Sequence, residues 1–261
     1  MQMIPFTKYQ GTGNDFILID NRRTVYLTRS DTERIEQMCD RRFGIGADGL
    51  ILLQDVPGHD FEMVYFNADG RESTMCGNGG RCIAAFAKQL GIIGNTCLFL
   101  AIDGPHSALV RQDGIVELKM SDVSGAEVGE GRFILNTGSP HCVVFVEEVG
   151  KVNVVESGRA IRYGDRFRQK GINVNFVEQA PNGISVATYE RGVEDETLSC
   201  GTGVTAAALS WALFHEKKEP GELPVRTKGG NLTVRYRPDG LGGFTDVWLC
   251  GPAVRVFEGV V

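Results

Sequence analysis

Two stretches of this chain carry the same pattern, and that duplication limits the fold more than any other feature. Tyr65 to Gly79 reads YFNADGRESTMCGNG, and Tyr189 to Gly203 reads YERGVEDETLSCGTG. Each spells Tyr, six residues, Glu, Ser or Thr, two residues, then Cys-Gly-x-Gly, with Tyr189, Glu196 and Cys200 all lying 124 residues after Tyr65, Glu72 and Cys76. The surroundings repeat too, with drifts that loops would absorb. FILID after Gly13-Asn14, then GIGADGLILL and FEMVYFN, lead to the first cysteine; CVVFVEE after Pro140-His141, then GINVNFVEQ and ISVATYER, lead to the second. After the cysteines, CIAAFAKQL and TAAALSWALF are helix formers almost free of charge, which predicts a helix buried among strands in each half.

LFLAI, SALVRQ and IVELKM follow the first of these helices as strand candidates, and LPVRT, LTVRY and TDVWL follow the second. The expected architecture is therefore α/β (α+β), two pseudo-symmetric domains each built as strands wrapped around a central helix. Equivalent elements of two such halves meet most naturally at a cleft, where a ligand would sit. A shorter helix near residue 35 carries a Ser-x-x-Glu capping box from Ser30 to Glu33, with Ile35, Met38 and Cys39 on one face.

Composition narrows the partners. A net charge of −6 with scattered Lys and Arg offers no footprint for nucleic acid or an anionic membrane, which leaves a small molecule as the expected partner. The longest apolar runs, such as Gly49 to Leu53, fall far below the ~20 residues that span a bilayer, and MQMIPFTKYQGTGN lacks the apolar stretch of a signal peptide. The expectation is a cytoplasmic protein. Seven cysteines without a CxxC pair argue against a disulfide framework and against a zinc site, so no metal is expected. Cys39, Cys82, Cys97, Cys142 and Cys250 lie in or beside apolar runs and read as small buried hydrophobes.

GIGADG, residues 44–49, matches GxGxxG, but a helix precedes it and a strand follows, the reverse of a dinucleotide site, so it reads as a Gly-rich turn. GTGNDF, residues 11–16, runs into a strand and lacks the ending of a phosphate loop; its sharper reading aims the Asn14 amide at a ligand. Cys76 and Cys200 stand apart. Each marks the junction of a turn-rich loop with a helix, where the positive helix end and unpaired N–H groups favour a thiolate and also seat a carboxylate. Ser, Thr, Asp or Asn would cap better, so a cysteine at the same place in both halves points to chemistry. Inverting a carbon stereocentre needs a proton to leave one face while another arrives at the opposite face, and one thiolate with one thiol supplies that without a cofactor. A cysteine hydrolase would instead want one cysteine with a dedicated His. His141 reads equally as a turn histidine or a residue that tunes a thiol; Arg191 reads as a carboxylate clamp or a surface ion pair.

GTGNDF, RRFGIGADG, FNADGRESTMCGNGGR, SPHCVVFV, GINVNFV and YERGVEDETLSCGTG together resemble the diaminopimelate epimerase family, in order and over essentially the whole chain. The resemblance implies a homodimer that uses no pyridoxal phosphate and interconverts LL- and meso-2,6-diaminopimelate in lysine and cell-wall synthesis. It implies that the second domain, 122–251, interrupts the first, 1–121 plus 252–261, with the final strand returning to the N-terminal domain. Carried onto this chain, it makes Cys76 and Cys200 the catalytic thiols and places the reacting carboxylate on Gly77-Asn78 and Gly201-Thr202. Asn14, Asn67, Asn173, Glu190 and Arg191 would surround the substrate, and His141 with Glu190 would adjust the thiols. Ser139 stands where relatives commonly have Asn, which weakens the distal assignments. The rivals are a proline or hydroxyproline racemase, which tends to read MCGHG where this chain has MCGNG, and a non-catalytic amino-acid-binding relative, which would have no reason to keep two exposed thiols.

Overall fold

The computed structural model describes residues 3–261, and the chain forms two compact units. The first runs to Leu118 and is rejoined by Gly251–Val261; the second is Lys119–Cys250. In the first, β1 (Pro5–Gly11) and β2 (Asn14–Asp20) form an antiparallel hairpin, followed by α1 (Thr32–Cys39), β3 (Gly49–Gln54), β4 (Phe61–Asn67), α2 (Gly77–Gln89), β5 (Thr96–Ala101), β6 (Gly104–Val110) and β7 (Ile115–Lys119). In the second come β8 (Glu127–Gly129), β9 (Arg132–Asn136), β10 (Pro140–Val146), α3 (Val154–Arg162), β11 (Asn173–Ala180), β12 (Gly183–Glu190), β13 (Asp195–Thr197), α4 (Gly201–Phe214), β14 (Gly221–Thr227), β15 (Gly230–Pro238) and β16 (Phe244–Pro252). The last strand, β17 (Val254–Val260), pairs antiparallel with β1.

Strand pairing repeats from one unit to the other. β2 runs parallel to β3 across the α1 connection, β3 antiparallel to β4, β4 parallel to β5 across α2, and β5 and β6 antiparallel to their successors. In the second unit β10 runs parallel to β11 across α3, β11 antiparallel to β12, β12 parallel to β14 across α4, and β14 and β15 antiparallel to theirs. Even the edges correspond, since β17 pairs with β1 as β8 pairs with β9. The duplication legible in sequence is thus a duplication of hydrogen-bond topology.

Helices cover both faces of these strands, which explains why FILID and LILL are continuous apolar runs rather than alternating ones. On one face Ile17, Ile19, Leu50, Leu52 and Val64 pack with Ile35 and Met38 of α1. On the other lies α2, buried from Gly77 to Ala87 except Ala85; α4 is buried in the same way in the second unit. The start of α1 differs from expectation. Its cap is Asp31, not Ser30, because the Asp31 carboxylate accepts 2.7 Å hydrogen bonds from both the N–H and the hydroxyl of Thr28, while Ser30 Oγ pairs with Thr28 Oγ1. The turn uses the groups that a capping box would have needed, and the helix begins at Thr32.

In the second unit α3 rests against Tyr189, a fully buried residue of β12, and a Cβ at Gly158 would overlap the Tyr189 side chain. Gly158→Ala is expected to lower the stability of this unit by about 1–3 kcal/mol through overpacking, read as a lower urea midpoint.

Candidate active site

Each cysteine ends a strand-to-helix turn as the capping residue of the central helix. Cys76 (φ −95°, ψ 131°) and Cys200 (φ −110°, ψ 113°) are extended, and neither helix has a side-chain cap hydrogen bond. The carbonyl of Cys76 accepts the first helical bond from Gly80 N at 2.7 Å, and that of Cys200 accepts from Val204 N at 2.8 Å. The N–H groups of the three residues between therefore precede the first helical bond in each unit and form a positive helix end able to hold an anion.

Neither is the exposed thiol expected from sequence. Cys76 is half-buried and Cys200 retains only 8% exposure, because the first turn of each helix is itself buried and carries its cap with it. The other cysteines are buried in apolar surroundings; burial pushes the thiols of Cys39, Cys82 and Cys97 up to about 12, leaving them protonated.

Around Cys76 the first unit assembles a chain of oriented amides. Thr12 (φ 51°) and Gly13 (φ 86°) form the two-residue turn of the β1–β2 hairpin, a left-handed pair that sets Asn14 at the start of β2. Asn14 Nδ2 donates to Asp48 Oδ2 at 2.7 Å, which turns Asn14 Oδ1 toward Cys76 Sγ at 3.5 Å and Asn78 Nδ2 at 3.3 Å. Asn78 is fixed from beneath by Arg81, a fully buried side chain of α2 whose Nη2 donates to Asn78 Oδ1 at 3.0 Å and to Thr12 Oγ1 at 3.2 Å. Asp48 is itself held by Arg41 at 2.7 Å, and Arg41 also pairs with Asp15, which faces the buried Lys8 at 2.8 Å. Burial alone would raise the Asp15 pKa, but hydrogen bonds from Arg41 and Lys8 outweigh it and hold the carboxyl well below the usual range.

Cys200 has a different neighbour. Its Sγ lies 3.5 Å from Thr202 Oγ1, which lies 2.9 Å from His141 Nε2; His141 Nδ1 faces Asn175 Nδ2 at 3.0 Å, and Asn175 Oδ1 accepts from Thr188 Oγ1 at 2.9 Å. His141 is fully buried; burial and then the charge of Arg191 push its pKa down to about 3, so the ring is neutral. A neutral ring that accepts at Nδ1 carries its proton on Nε2 and donates to Thr202. Gly203 is needed here, since a Cβ would overlap Asn175 Oδ1 and come within 3.3 Å of Thr188 Oγ1.

The remaining residues named from sequence lie at strand ends. Asn173, buried at the start of β11, donates to Ser139 Oγ at 2.7 Å and Pro140 O at 3.0 Å and accepts from Arg191 N at 2.8 Å, so its amide joins three segments. Glu190 is half-buried at the end of β12, and Arg191 is exposed with Nη1 donating to Lys170 O at 3.1 Å. Asn67 is exposed at the end of β4; Gly77, Asn78 and Gly201 are buried in the first helical turns. Lys8, Arg41, Asp48, Arg81, Asn175 and Thr188 were not singled out from sequence. Asp48 lies inside GIGADG, where the glycines masked it, whereas Asn175, one polar residue within the apolar run of GINVNFV, was the available signal.

A sequence profile described as diaminopimelate epimerase matches residues 6–124 and 133–256. The chain belongs to the diaminopimelate epimerase family. A diaminopimelate epimerase of Flavobacterium psychrophilum is 50% identical over 252 residues, covering 96% of this chain and 97% of that protein. One from Aquifex aeolicus is 43% identical over 275 residues, with 97% and 96% covered. Among solved structures, a phenazine biosynthesis protein of the PhzF family from Bacillus anthracis superposes with a TM-score of 0.74 at 16% identity over 100% of this chain and 99% of that one. A probable proline racemase from Agrobacterium radiobacter gives 0.72 at 14% identity over 99% and 92%. At those identities the likeness is one of fold: a sheet-rich α/β chain of two repeated halves.

Two outcomes follow. Gly203→Ala should displace Asn175, cutting kcat by about tenfold or more through loss of the His141 orientation, with urea stability and activity measured on the same preparation. His141 takes up a proton near pH 6.5 when unfolded but only near 3 when folded, so its contribution to stability is complete above 6.5 and declines as pH falls toward 3. Between pH 6.5 and 5 the protein should lose about 2 kcal/mol more than His141→Gln, read by denaturant titration at the two pH values.

Proposed function

We propose that this chain epimerises LL-2,6-diaminopimelate to the meso form, with Cys76 and Cys200 as the two acid/base groups. The observation that carries the reading is that both central helices begin at a cysteine with no side-chain cap, so each thiol stands beside N–H groups that would seat the carboxylate of a reacting amino acid. In one direction a thiolate takes the α-proton and becomes a thiol, the carboxylate spreads the resulting charge against the helix ends, and the opposite thiol gives its proton to the other face and becomes a thiolate. No electron is gained or lost and the two sulfurs have exchanged roles, so no cofactor is required by the balance. Gly77, Asn78, Gly201 and Thr202 bind the reacting carboxylate. Asn14, Asn67, Glu190 and Arg191 line the rest of the substrate, with Asn173 holding Arg191 and the Ser139–Pro140 turn in place.

The protein acts as a cytoplasmic homodimer. No helix among the described residues is long and apolar enough to cross a membrane. Support for self-association comes from β17, where Val254, Val256, Phe257 and Val260 are each 45–54% exposed, apolar side chains that a second copy would cover.

In deuterium oxide the reduced protein should exchange the α-hydrogen of diaminopimelate while leaving proline untouched, and Cys76→Ala or Cys200→Ala should each abolish epimerisation. Turnover by either variant at the normal rate would sink the two-thiol reading. Val256→Glu should shift the sedimentation coefficient to that of a monomer; an unchanged dimer would remove β17 from the interface.

A further inference from the structure

The two halves repeat their backbones but not the polar groups that touch the two sulfurs. In the first unit the group facing Cys76 Sγ is an amide oxygen, Asn14 Oδ1. Its orientation is dictated, because Asp48 only accepts and must therefore receive the Asn14 NH₂, while Arg81 only donates and must face Asn78 Oδ1, which aims the Asn78 NH₂ at the same Asn14 oxygen. In the second unit the group facing Cys200 Sγ is a hydroxyl, Thr202 Oγ1. Neutral His141 donates to that hydroxyl oxygen, so the hydroxyl hydrogen is available to the sulfur. His141 can do so only because Asn175, held by Thr188, presents NH₂ to Nδ1.

We propose that the substrate-free enzyme holds the two thiols unequally, with Asp48, through Asn14, keeping Cys76 as the protonated thiol and Asn175, through His141 and Thr202, keeping Cys200 as the thiolate. Asp48 and Asn175 are then positioning residues for the reaction. An oxygen acceptor 3.5 Å from sulfur suits S–H and opposes S⁻, whereas a hydroxyl donor at the same distance suits S⁻. Both sulfurs cap a helix, so the helix ends favour the anion in both units and do not separate them.

The charged groups nearby act more diffusely. Buried Arg81 draws Cys76 toward the anion through Asn78, while the Asp48 carboxylate on Asn14, paired with Arg41, opposes it. In the second unit the charge of Arg191 reaches His141, which is hydrogen-bonded to Thr202, and Glu190 ends β12. Cys200 is the more buried sulfur, which by itself opposes its thiolate; the hydroxyl that touches it acts against that burial, and the amide oxygen that touches Cys76 favours the thiol there. The consequence is directional: in the resting enzyme Cys200 is the base and Cys76 the acid, and the isomer whose α-hydrogen faces Cys200 finds the enzyme ready.

The proposal rests on the reading of Cys76 and Cys200 as the reacting thiols, and it is tested on the intact, reduced protein without substrate. The pH midpoint of iodoacetamide alkylation is followed for each cysteine by peptide mass spectrometry, and again with the other cysteine replaced by Ala so that the two do not titrate as a pair. A midpoint, unlike a rate, is independent of how accessible each sulfur is. Cys200 should react with a midpoint about 1–2 pH units below Cys76, the effect of one hydrogen bond to an ionised group. Thr202→Val should raise the Cys200 midpoint while Thr202→Ser leaves it in place, and Asp48→Ala, by freeing Asn14 to turn its NH₂ toward sulfur, should lower the Cys76 midpoint alone. Equal or reversed midpoints in a protein that epimerises diaminopimelate would overturn the unequal wiring and spare the function. A protein that leaves diaminopimelate unchanged at every pH would instead overturn the function.

Discussion

The positive end of a buried helix is the constraint on which this structure turns. A helix start normally finds a Ser, Thr, Asp or Asn oxygen for its leading N–H groups, and here both central helices decline that solution and place a cysteine at the cap. The first turns are buried among strands, so water does not freely satisfy those groups. A helix start of this kind favours an anion, whether a thiolate or a carboxylate. The surrounding strands hold the helix ends in position.

That support differs between the units in a physically coherent way. In the first it is ionic: Lys8, Asp15, Arg41 and Asp48 form a continuous set of charge-assisted contacts that ends on Asn14. In the second it is neutral: Thr188, Asn175, His141 and Thr202 pass one orientation along a buried series of hydrogen bonds. A buried charge is tolerable only when paired, and a buried imidazole only when both its nitrogens are engaged. Each network satisfies its own condition, so the two helices can share a backbone while their caps meet different chemistry.

Much of this was legible in the residues. The repeated Tyr-to-Gly segment located both helices and both cysteines, and unbroken apolar runs identified strands covered on two faces. Weak points trace to particular residues. Lys8 interrupts the apolar pattern of β1, and it is buried because Asp15 across the hairpin and the Gly46 carbonyl, 38 residues on, both receive its ammonium, the second a contact that no local window contains. The Ser-x-x-Glu spacing is local and points to Ser30 as the cap, whereas the Asp31–Thr28 turn takes that place. A reactive thiol suggests exposure, whereas burial of the helix starts sets the accessibility of these two.

Gly79 and Gly203 show why duplication survived in the backbone while side chains diverged. A Cβ at Gly79 would press on Ile51 and Met63, at 3.2 and 3.3 Å, and one at Gly203 would strike Asn175. The same close approach of helix to strand is therefore required in both units, against an apolar neighbour in one and a polar one in the other. Because glycine meets that requirement whatever lies opposite, the strand residue beneath it is free to change. In the second unit that freedom was used to install Asn175, the group that sets the proton on His141. A fold made of two equal halves can thus acquire unequal acid and base partners without any change in hydrogen-bond topology, by substituting side chains at the strand starts, in the first helical turn and beneath a backbone glycine.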